Sequence, residues 1–339
     1  MILSINAGST SLKYKLFDQK LRLLADGEFS DCQIDDEIFK KAAEHVKPKI
    51  QSQNLAIVHR VVHGGPKYRE PVKLTPSVVK EIRKYNHLAP MHNPCNLKGV
   101  EFGQKYFPKA CQYAVFDTGF YQTLPDCARI YPLPFEFYQK YKIQKYGFHG
   151  ISHQYVLEEA KTRLKINQPN IISLHLGAGC SITAVQKGKA IDTSMGWSPM
   201  EGVMMWSRSG DIDLGIVLSH LDKFKNWEKV LNYKSGLKGI SGCKNYLDLM
   251  EKYEQGDKKA RLAMDMFVYR IQKYIGAYYA ALKGKVDAIA FTGKIGAGEA
   301  MTRDLIMQGL GFLQAVKKLA IKPDEELMMA KMILNLKKS

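Results

Sequence analysis

The chain contains no apolar run near the roughly 20 residues that a membrane-crossing helix needs, so no helical membrane span is expected. It opens straight into an apolar strand pattern without a basic leader segment, so the expectation is a cytoplasmic protein with no membrane partner. Its six cysteines, at positions 32, 95, 111, 127, 180 and 243, form no CxxC pair. That scatter argues for free thiols and against a disulfide framework or a thiolate metal site. The pairs His59/His63 and His149/His153 have four-residue spacing but lack the HExxH glutamate and a third ligand nearby, which argues against zinc. Acidic residues are scarce: 33 Asp and Glu face 50 Lys and Arg, a formal net charge of +17. The excess is dispersed, its densest clusters are pairs such as Lys317-Lys318, and no aromatic-basic platform recurs. Nucleic acid is therefore not expected as a partner. Phosphorylated metabolites, or a generally basic proteome, account for the charge.

What is present suffices for two domains: 339 residues, 45% of them hydrophobic and 24% charged, can bury two full cores. The stretch 171–214 organises the rest. Residues 171–176 read as a buried strand, Gly177-Ala178-Gly179 as a turn, 181–186 as a second strand, and a third strand follows the Lys187-Gly188 turn. A glycine turn at a strand end lets backbone N–H groups approach an anion, so Gly177, Ala178 and Gly179 are read as a phosphate cradle. Arg208 precedes Asp211, predicted to cap a helix over 214–221, which would put a guanidinium and a helix N-terminus near one anion. The same device opens the chain: a strand at 2–5, a turn at 7–9, and strands at 11–17 and 21–29. Two such hairpins half a chain apart predict a duplicated architecture with one hairpin per lobe facing a shared cleft.

Between and beyond the hairpins, residues 55–63 (LAIVHRVVH) read as an interior strand. Arg60 within it is costly to bury unless it meets either a bound anion or a structural ion pair. Helices are predicted at 35–46, 76–85, from 97 to about 106, and from Ser152 as cap through 164. A strand at 113–116 ends in Asp117, which is placed either to ligate Mg2+ or to form a turn. Residues 235–242 (SGLKGISG) and 292–298 read as glycine loops, the second leading into a helix over 299–312. A long helix at 257–283 reads as scaffolding. The last helix is predicted to start at Pro323, with Asp324, Glu325 and Glu326 in its first turn, where they either complement the helix dipole or support a Mg2+ ion from behind its direct ligands.

These segments together resemble the acetate kinases, a family within the acetate and sugar kinase, Hsp70 and actin superfamily. The likeness covers almost the whole length and rests on INAGSTSLKYKLFD, HRVVHGG, LAPMHNPCNL, AVFDTGF, YGFHGISH, HLGAGCS, DTSMGWSPMEG, RSGDIDLG, SGLKGISG and PDEELMMAK. It implies an α/β fold of two actin-like (ribonuclease H-like) lobes with duplicated sheets and flanking helices. Residues 1–146 with 323–339 would form the first lobe and 147–322 the second. The implied reaction is phosphoryl transfer from ATP to acetate, giving acetyl phosphate and ADP, in a homodimer. Position by position, the resemblance assigns Asn6, Ser9, Ser11 and Lys13 to a first phosphate loop. It gives Arg60 and Arg208 to the carboxylate and phosphoryl groups, and His149 to the transition state, with His92 and His175 lining the site. Asn6, Asp117 and Glu325 would hold Mg2+, or Mn2+ in its place. Val62, Met91, Phe148 and Pro199 would surround the methyl group, and Asn245, Gly293, Lys294 and Gly296 would serve the nucleotide.

Departures from the family pattern fall on the nucleotide side. Ala178 stands where asparagine is usual, Lys294 where glycine is, and Asn245-Tyr246-Leu247 where Asp-x-Arg is. Either ATP binds through backbone contacts regardless, which is the preferred reading, or the donor has changed to another nucleotide or pyrophosphate. Propionate as acceptor, and a non-catalytic nucleotide-binding relative, are the remaining alternatives. Joint retention of Arg60, Arg208, His149 and Asp117 argues against the last.

Overall fold

The structure is a computed structural model that describes residues 1–339 except 9–10, 31–33, 52–53, 91 and 337–339. Ser9 and Met91 thus lie outside the described residues. Contacts divide the chain into two compact units, 1–122 with 149–155 and 324–339, and 123–148 with 156–323. The sequence expectation differs over 123–146, placed there with the first lobe, and over 149–155, placed there with the second. Residues 123–148 join the second unit because Thr123 donates to Ala190 O at 2.8 Å and Tyr146 N–H to Gly196 O at 3.0 Å.

The first unit holds strands β1 (Ile2–Ala7), β2 (Ser11–Phe17), β3 (Leu23–Ser30), β4 (Ala56–Val61), β5 (Val72–Lys73) and β6 (Cys111–Phe116), in the order β3-β2-β1-β4-β6-β5. β1 to β3 form the expected antiparallel meander, while β4 and β6 run parallel to β1. β4 is interior, as its continuous apolar run requires. The pleat then assigns faces. Leu3, Ile5 and Ile57 pack with Phe39 and Phe102, whereas Ile2, Ala56, Val58 and Val115 pack under the helix Glu325–Leu336 through Met328, Met329 and Ile333. By the same alternation Ser4, Asn6, Arg60 and Asp117 belong to the face under that helix, and His59 to the opposite one. The helix starts at Glu325, two residues after Pro323, because the Asp324 carboxylate caps it by accepting the Leu327 N–H at 2.9 Å.

The second unit repeats the plan. β7 (Ile171–Leu176), β8 (Cys180–Gln186), β9 (Lys189–Thr193), β10 (Ala288–Thr292) and β11 (Lys317–Ala320) stand in the order β11-β10-β7-β8-β9. A three-stranded meander again continues into two strands parallel to its first. The helix Lys258–Ala281 buries Ala260, Met264, Phe267, Ile271 and Tyr278 against this unit.

Several elements differ from expectation for identifiable reasons. Residues 235–242 and 292–298 are not open loops: Gly236–Ser241 and Gly293–Gly298 are short helices whose apolar residues Leu237 and Ile295 are buried. The second is followed by Ala300–Gln308. The cap before Leu214 is Asp213, which takes the Gly215 N–H at 2.7 Å, and the helix is only Leu214–Leu218. The helix expected to begin at Ser152 begins at Gly150, and the one after the proline loop begins at Asn93.

His59 and His63 are fully buried in the first unit, and burial holds their pKa values down at about 4 and about 3. The unfolded chain takes up these protons near pH 6.5, so between there and pH 4 it binds more protons than the folded one. Stability therefore falls as pH drops through that window, by about 1.4 kcal/mol per histidine per pH unit. Urea unfolding at pH 7, 6 and 5 should show this slope, and His59→Gln should halve it. A flat profile down to pH 5 would contradict the assignment.

Candidate functional site

In the first unit the carboxyl ends of the neighbouring parallel strands β1, β4 and β6 deliver Asn6, Arg60 and Asp117 to one place, the usual position for a ligand site in an α/β sheet. Arg60 Nε and Nη2 donate to the two Asp117 oxygens at 3.1 and 2.6 Å. This is a bidentate, charge-assisted pair with side chains only 16% and 2% exposed. Arg60 Nη1 faces Asn6 Oδ1 at 3.3 Å and Glu325 Oε2 at 3.5 Å. Asn6 Nδ2 in turn donates to Glu325 at 3.1 Å and Glu326 at 3.2 Å. Burial works against the Arg60 charge, but Asp117 and Glu325 outweigh it and hold its pKa above the ordinary value. Burial pushes Asp117 upward, and Arg60 pulls it back. Burial, and then Glu325, raises Glu326.

His149 joins this set through its backbone, whose N–H donates to Asp117. Its φ of +55° is a left-handed conformation, sparsely populated by residues with a Cβ. The next residue must be glycine, because a Cβ at Gly150 would lie 1.9 Å from Asp117 O. Val62 N–H and His63 N–H donate to Asn96 and Asn93, each at 3.0 Å. These bonds tie the tail of β4 to the first turn of the helix Asn93–Tyr106, which His92 immediately precedes. Ser11 opens β2, and Lys13 stands opposite Asn6 in register while pairing with Glu28 at 3.3 Å.

Among the described residues no three His, Cys, Asp or Glu side chains are grouped to hold a metal by themselves. Asp117, Glu325 and the Asn6 amide oxygen nevertheless supply hard oxygen donors around one point, Arg60. Two carboxylates with room for water and phosphate oxygens are the set that Mg2+ prefers over an all-protein cage, so the residues fit that ion. Lys15, which pairs with Asp324 at 2.7 Å, escaped the sequence reading. The signal was the alternation that puts Lys13 and Lys15 opposite Asn6 and Ser4.

In the second unit, the Gly177–Gly179 turn closes through a 3.1 Å bond from Gly177 N–H to Gly179 O, and Ala178 O accepts the Trp206 N–H at 3.2 Å. That bond brings the turn to the segment bearing Arg208. The segment is a hairpin and not a helix start, which corrects the expectation built on Asp211. Gly202 N–H meets the Asp211 carboxylate at 2.7 Å, Asp211 N–H returns to Gly202 O at 2.8 Å, and Met205 N–H reaches Arg208 O at 3.1 Å. Arg208, 9% exposed, donates from Nη1 to Pro199 O at 3.0 Å and to Met205 Sδ at 3.5 Å. Its Nε and Nη2 have no partner, and no carboxylate pairs with it, among the described residues. Burial alone lowers its pKa. A nearly sealed cation without a counter-ion carries an uncompensated desolvation cost.

Of the residues expected at the nucleotide, Gly293 and Gly296 pack on Leu176 at the end of β7, and Lys294 between them is exposed. His175, the last residue but one of β7, stands in register with Thr292. The Asn245 side-chain oxygen caps the helix Tyr246–Glu254 by accepting the Asp248 N–H at 2.9 Å. Phe148 is buried, and Pro199 contributes its carbonyl to Arg208.

A model of the acetokinase family matches residues 25–332. The chain belongs to the acetokinase family. Among its relatives, an acetate kinase of Helicobacter pylori (strain Shi470) is 44% identical over 91% of this chain and 86% of that one. A crystal structure of a propionate kinase from Francisella tularensis subsp. tularensis SCHU S4 superposes with a TM-score of 0.90 at 33% identity, covering 98% of both chains. One of Porphyromonas gingivalis acetate kinase gives 0.86 at 32% identity, covering 99% of both. The acetokinase fold, two mixed sheets with flanking helices of the actin-like class, is thus the fold of this chain. No helix among its described residues is long and apolar enough to cross a membrane.

The two arginines should respond oppositely to mutation. Asp117→Asn strands Arg60 and should cost roughly 3 kcal/mol in urea unfolding, whereas Arg208→Met removes an uncompensated charge and should be neutral or stabilising. An Arg208→Met loss as large as that of Asp117→Asn would contradict the contrast.

Proposed function

We propose that the chain catalyses reversible, Mg2+-dependent transfer of the γ-phosphoryl group of ATP to acetate, giving acetyl phosphate and ADP. Family membership supports the reaction class, and the observation that carries the chemistry is Arg208, buried with no acidic partner among the described residues. An acetate oxygen attacks the γ-phosphorus, and the bond to the β–γ bridging oxygen breaks with its electron pair leaving on ADP. Acetate is already ionised at neutral pH, so no proton moves and no general base is required. Catalysis then reduces to alignment and to neutralising charge on three equatorial oxygens. Arg208 offers Nε and Nη2 to that charge, and the His149 imidazole donates to it. Arg60 fixes Asp117 and Glu325 and orients the substrate carboxylate. Asn6, Asp117 and Glu325 would hold Mg2+, or Mn2+, which when bound neutralises charge on the phosphates. Val62, Met91, Phe148 and Pro199 would surround the methyl group, with His92 and His175 lining the site. Ser9, Ser11, Lys13, the 177–179 turn and the 293–296 turn would serve the nucleotide.

We further propose a cytoplasmic homodimer without nucleic-acid or membrane partners. Support comes from exposed apolar residues in the second unit, Leu214 at 73%, Leu218 at 68% and Leu221 at 55%, more than scattered surface leucines require. Propionate is a second acceptor reading, favoured by the propionate kinase structure at TM-score 0.90.

Trapping acetyl phosphate as the hydroxamate, with acetate and propionate in parallel, should give saturable product that disappears with EDTA. In reverse, ADP should be phosphorylated in preference to GDP or orthophosphate; saturation by orthophosphate in its place would make pyrophosphate the donor. Arg208→Ala should lower kcat about 10²–10³-fold. Absence of hydroxamate at high protein concentration would favour a nucleotide-binding relative without turnover.

A further inference from the structure

The Pro199 carbonyl is the one oxygen among the described residues that orients the Arg208 guanidinium, so whatever holds Pro199 aims Arg208. Pro199 lies in the segment 194–202, which makes no regular structure. That segment is instead pinned by a polar cluster whose members are far apart in sequence. The Tyr131 hydroxyl donates to Glu201 Oε2 and accepts the Trp197 N–H at 2.8 Å. Lys145 Nζ bridges Thr193 O and Glu201 Oε1, both at 2.9 Å, with its side chain 12% exposed. Gly196 O receives the N–H groups of Tyr146 and Gly147 at 3.0 and 3.2 Å. A Cβ on Gly196 would lie 1.6 Å from Glu201 Oε2 and 1.9 Å from the Tyr131 oxygen, so the backbone is pressed directly onto the cluster. Downstream, Tyr274 donates to Asp211 Oδ2 at 2.5 Å, and Asp211 holds Gly202. Burial and then Glu201 push the Tyr131 hydroxyl upward, so it stays a donor.

We propose that Tyr131, Lys145 and Glu201 are positioning residues for Arg208. Glu201, gripped by a phenol on one oxygen and an ammonium on the other, locks the segment so that Pro199 O takes one edge of the guanidinium. Nε and Nη2 are then left to face the anion. None of the three makes a hydrogen bond or ion pair with Arg208 among the described residues, so their effect runs through the Pro199 carbonyl. The inference rests on the reading of Arg208 as the cation that meets the transferring phosphoryl group. A guanidinium displaced by about 1 Å forfeits on the order of 10²-fold in rate, which leaves room for a measurable effect without loss of fold.

The test is a mutant cycle on the full chain, assaying acetyl phosphate with ADP and following thermal melting in parallel. Tyr131→Phe, the mildest change, and Glu201→Gln should each lower kcat about tenfold with the ADP KM and the melting temperature little changed. Lys145→Met should do the same, and Lys145→Arg should restore most of the loss. In an Arg208→Lys background, where no guanidinium reaches Pro199, the added cost of Tyr131→Phe should shrink below twofold. An undiminished tenfold cost in that background, or full kcat in both Tyr131→Phe and Glu201→Gln, would overturn the positioning role. A fully active Arg208→Lys would instead sink the reading of Arg208 itself, and this inference with it.

Discussion

The pairing of Arg60 with Asp117 is the constraint on which the first unit turns. A guanidinium and a carboxylate that are each almost sealed from water stay charged only in contact with one another. Their bidentate geometry demands that the ends of β4 and β6 be level and that both side chains leave the sheet on the same face. Asn6 meets the same demand from β1 and passes it to Glu325 and Glu326 through its amide. Ser4, two residues earlier on that face, fixes the helix by donating to Glu326 O at 2.7 Å. The docking of the last helix and the assembly of the acidic set are therefore one event, specified by the two-residue repeat of three strands.

Arg208 presents the opposite electrostatic state. It is as buried as Arg60 but holds only a carbonyl and a thioether, so folding leaves its desolvation uncompensated. Such a cost is tolerable where a bound oxyanion offsets it, which is the role proposed for the transferring phosphoryl group. The first arginine organises the protein's own carboxylates, and the second has no carboxylate partner among the described residues.

Much of this was legible in the sequence because it follows from strand ends and alternation. The meanders, the interior position of Arg60 and the place of Asp117 at a strand tip could be read directly. The choice between ion pair and anion for Arg60 could not, since it depends on Asp117, 57 residues away. Glycine was a poor guide at 236–241 and 293–298, where it signals close packing onto backbone and not an open loop. A would-be Cβ at Gly236 lies 2.2 Å from Met205 O, and one at Gly293 lies 2.3 Å from Leu176 O. The confusion of Asp211 with Asp213 as the cap has a similar origin. Both are good caps by type, and only the Tyr274 and Gly202 bonds to Asp211 show that it is already committed. The Tyr131, Lys145 and Glu201 cluster left no local trace, because its links span 56 to 70 residues.

The duplication gives these differences their meaning. The orders β3-β2-β1-β4-β6 and β9-β8-β7-β10-β11 are the same scaffold with the same mixture of parallel and antiparallel pairs. In one copy the strand tips carry an amide, a guanidinium and a carboxylate. In the other the corresponding tips of β7 and β10 carry only His175 and Thr292, and the cation comes from a hairpin outside the sheet. A sheet edge can gather carboxylates because a neighbouring strand can supply the arginine that neutralises them. An unneutralised arginine has no such partner to settle against, so it must be aimed by backbone carbonyls on a loop that is itself tied down. The polar cluster around Glu201 is the consequence of moving the charge off the sheet.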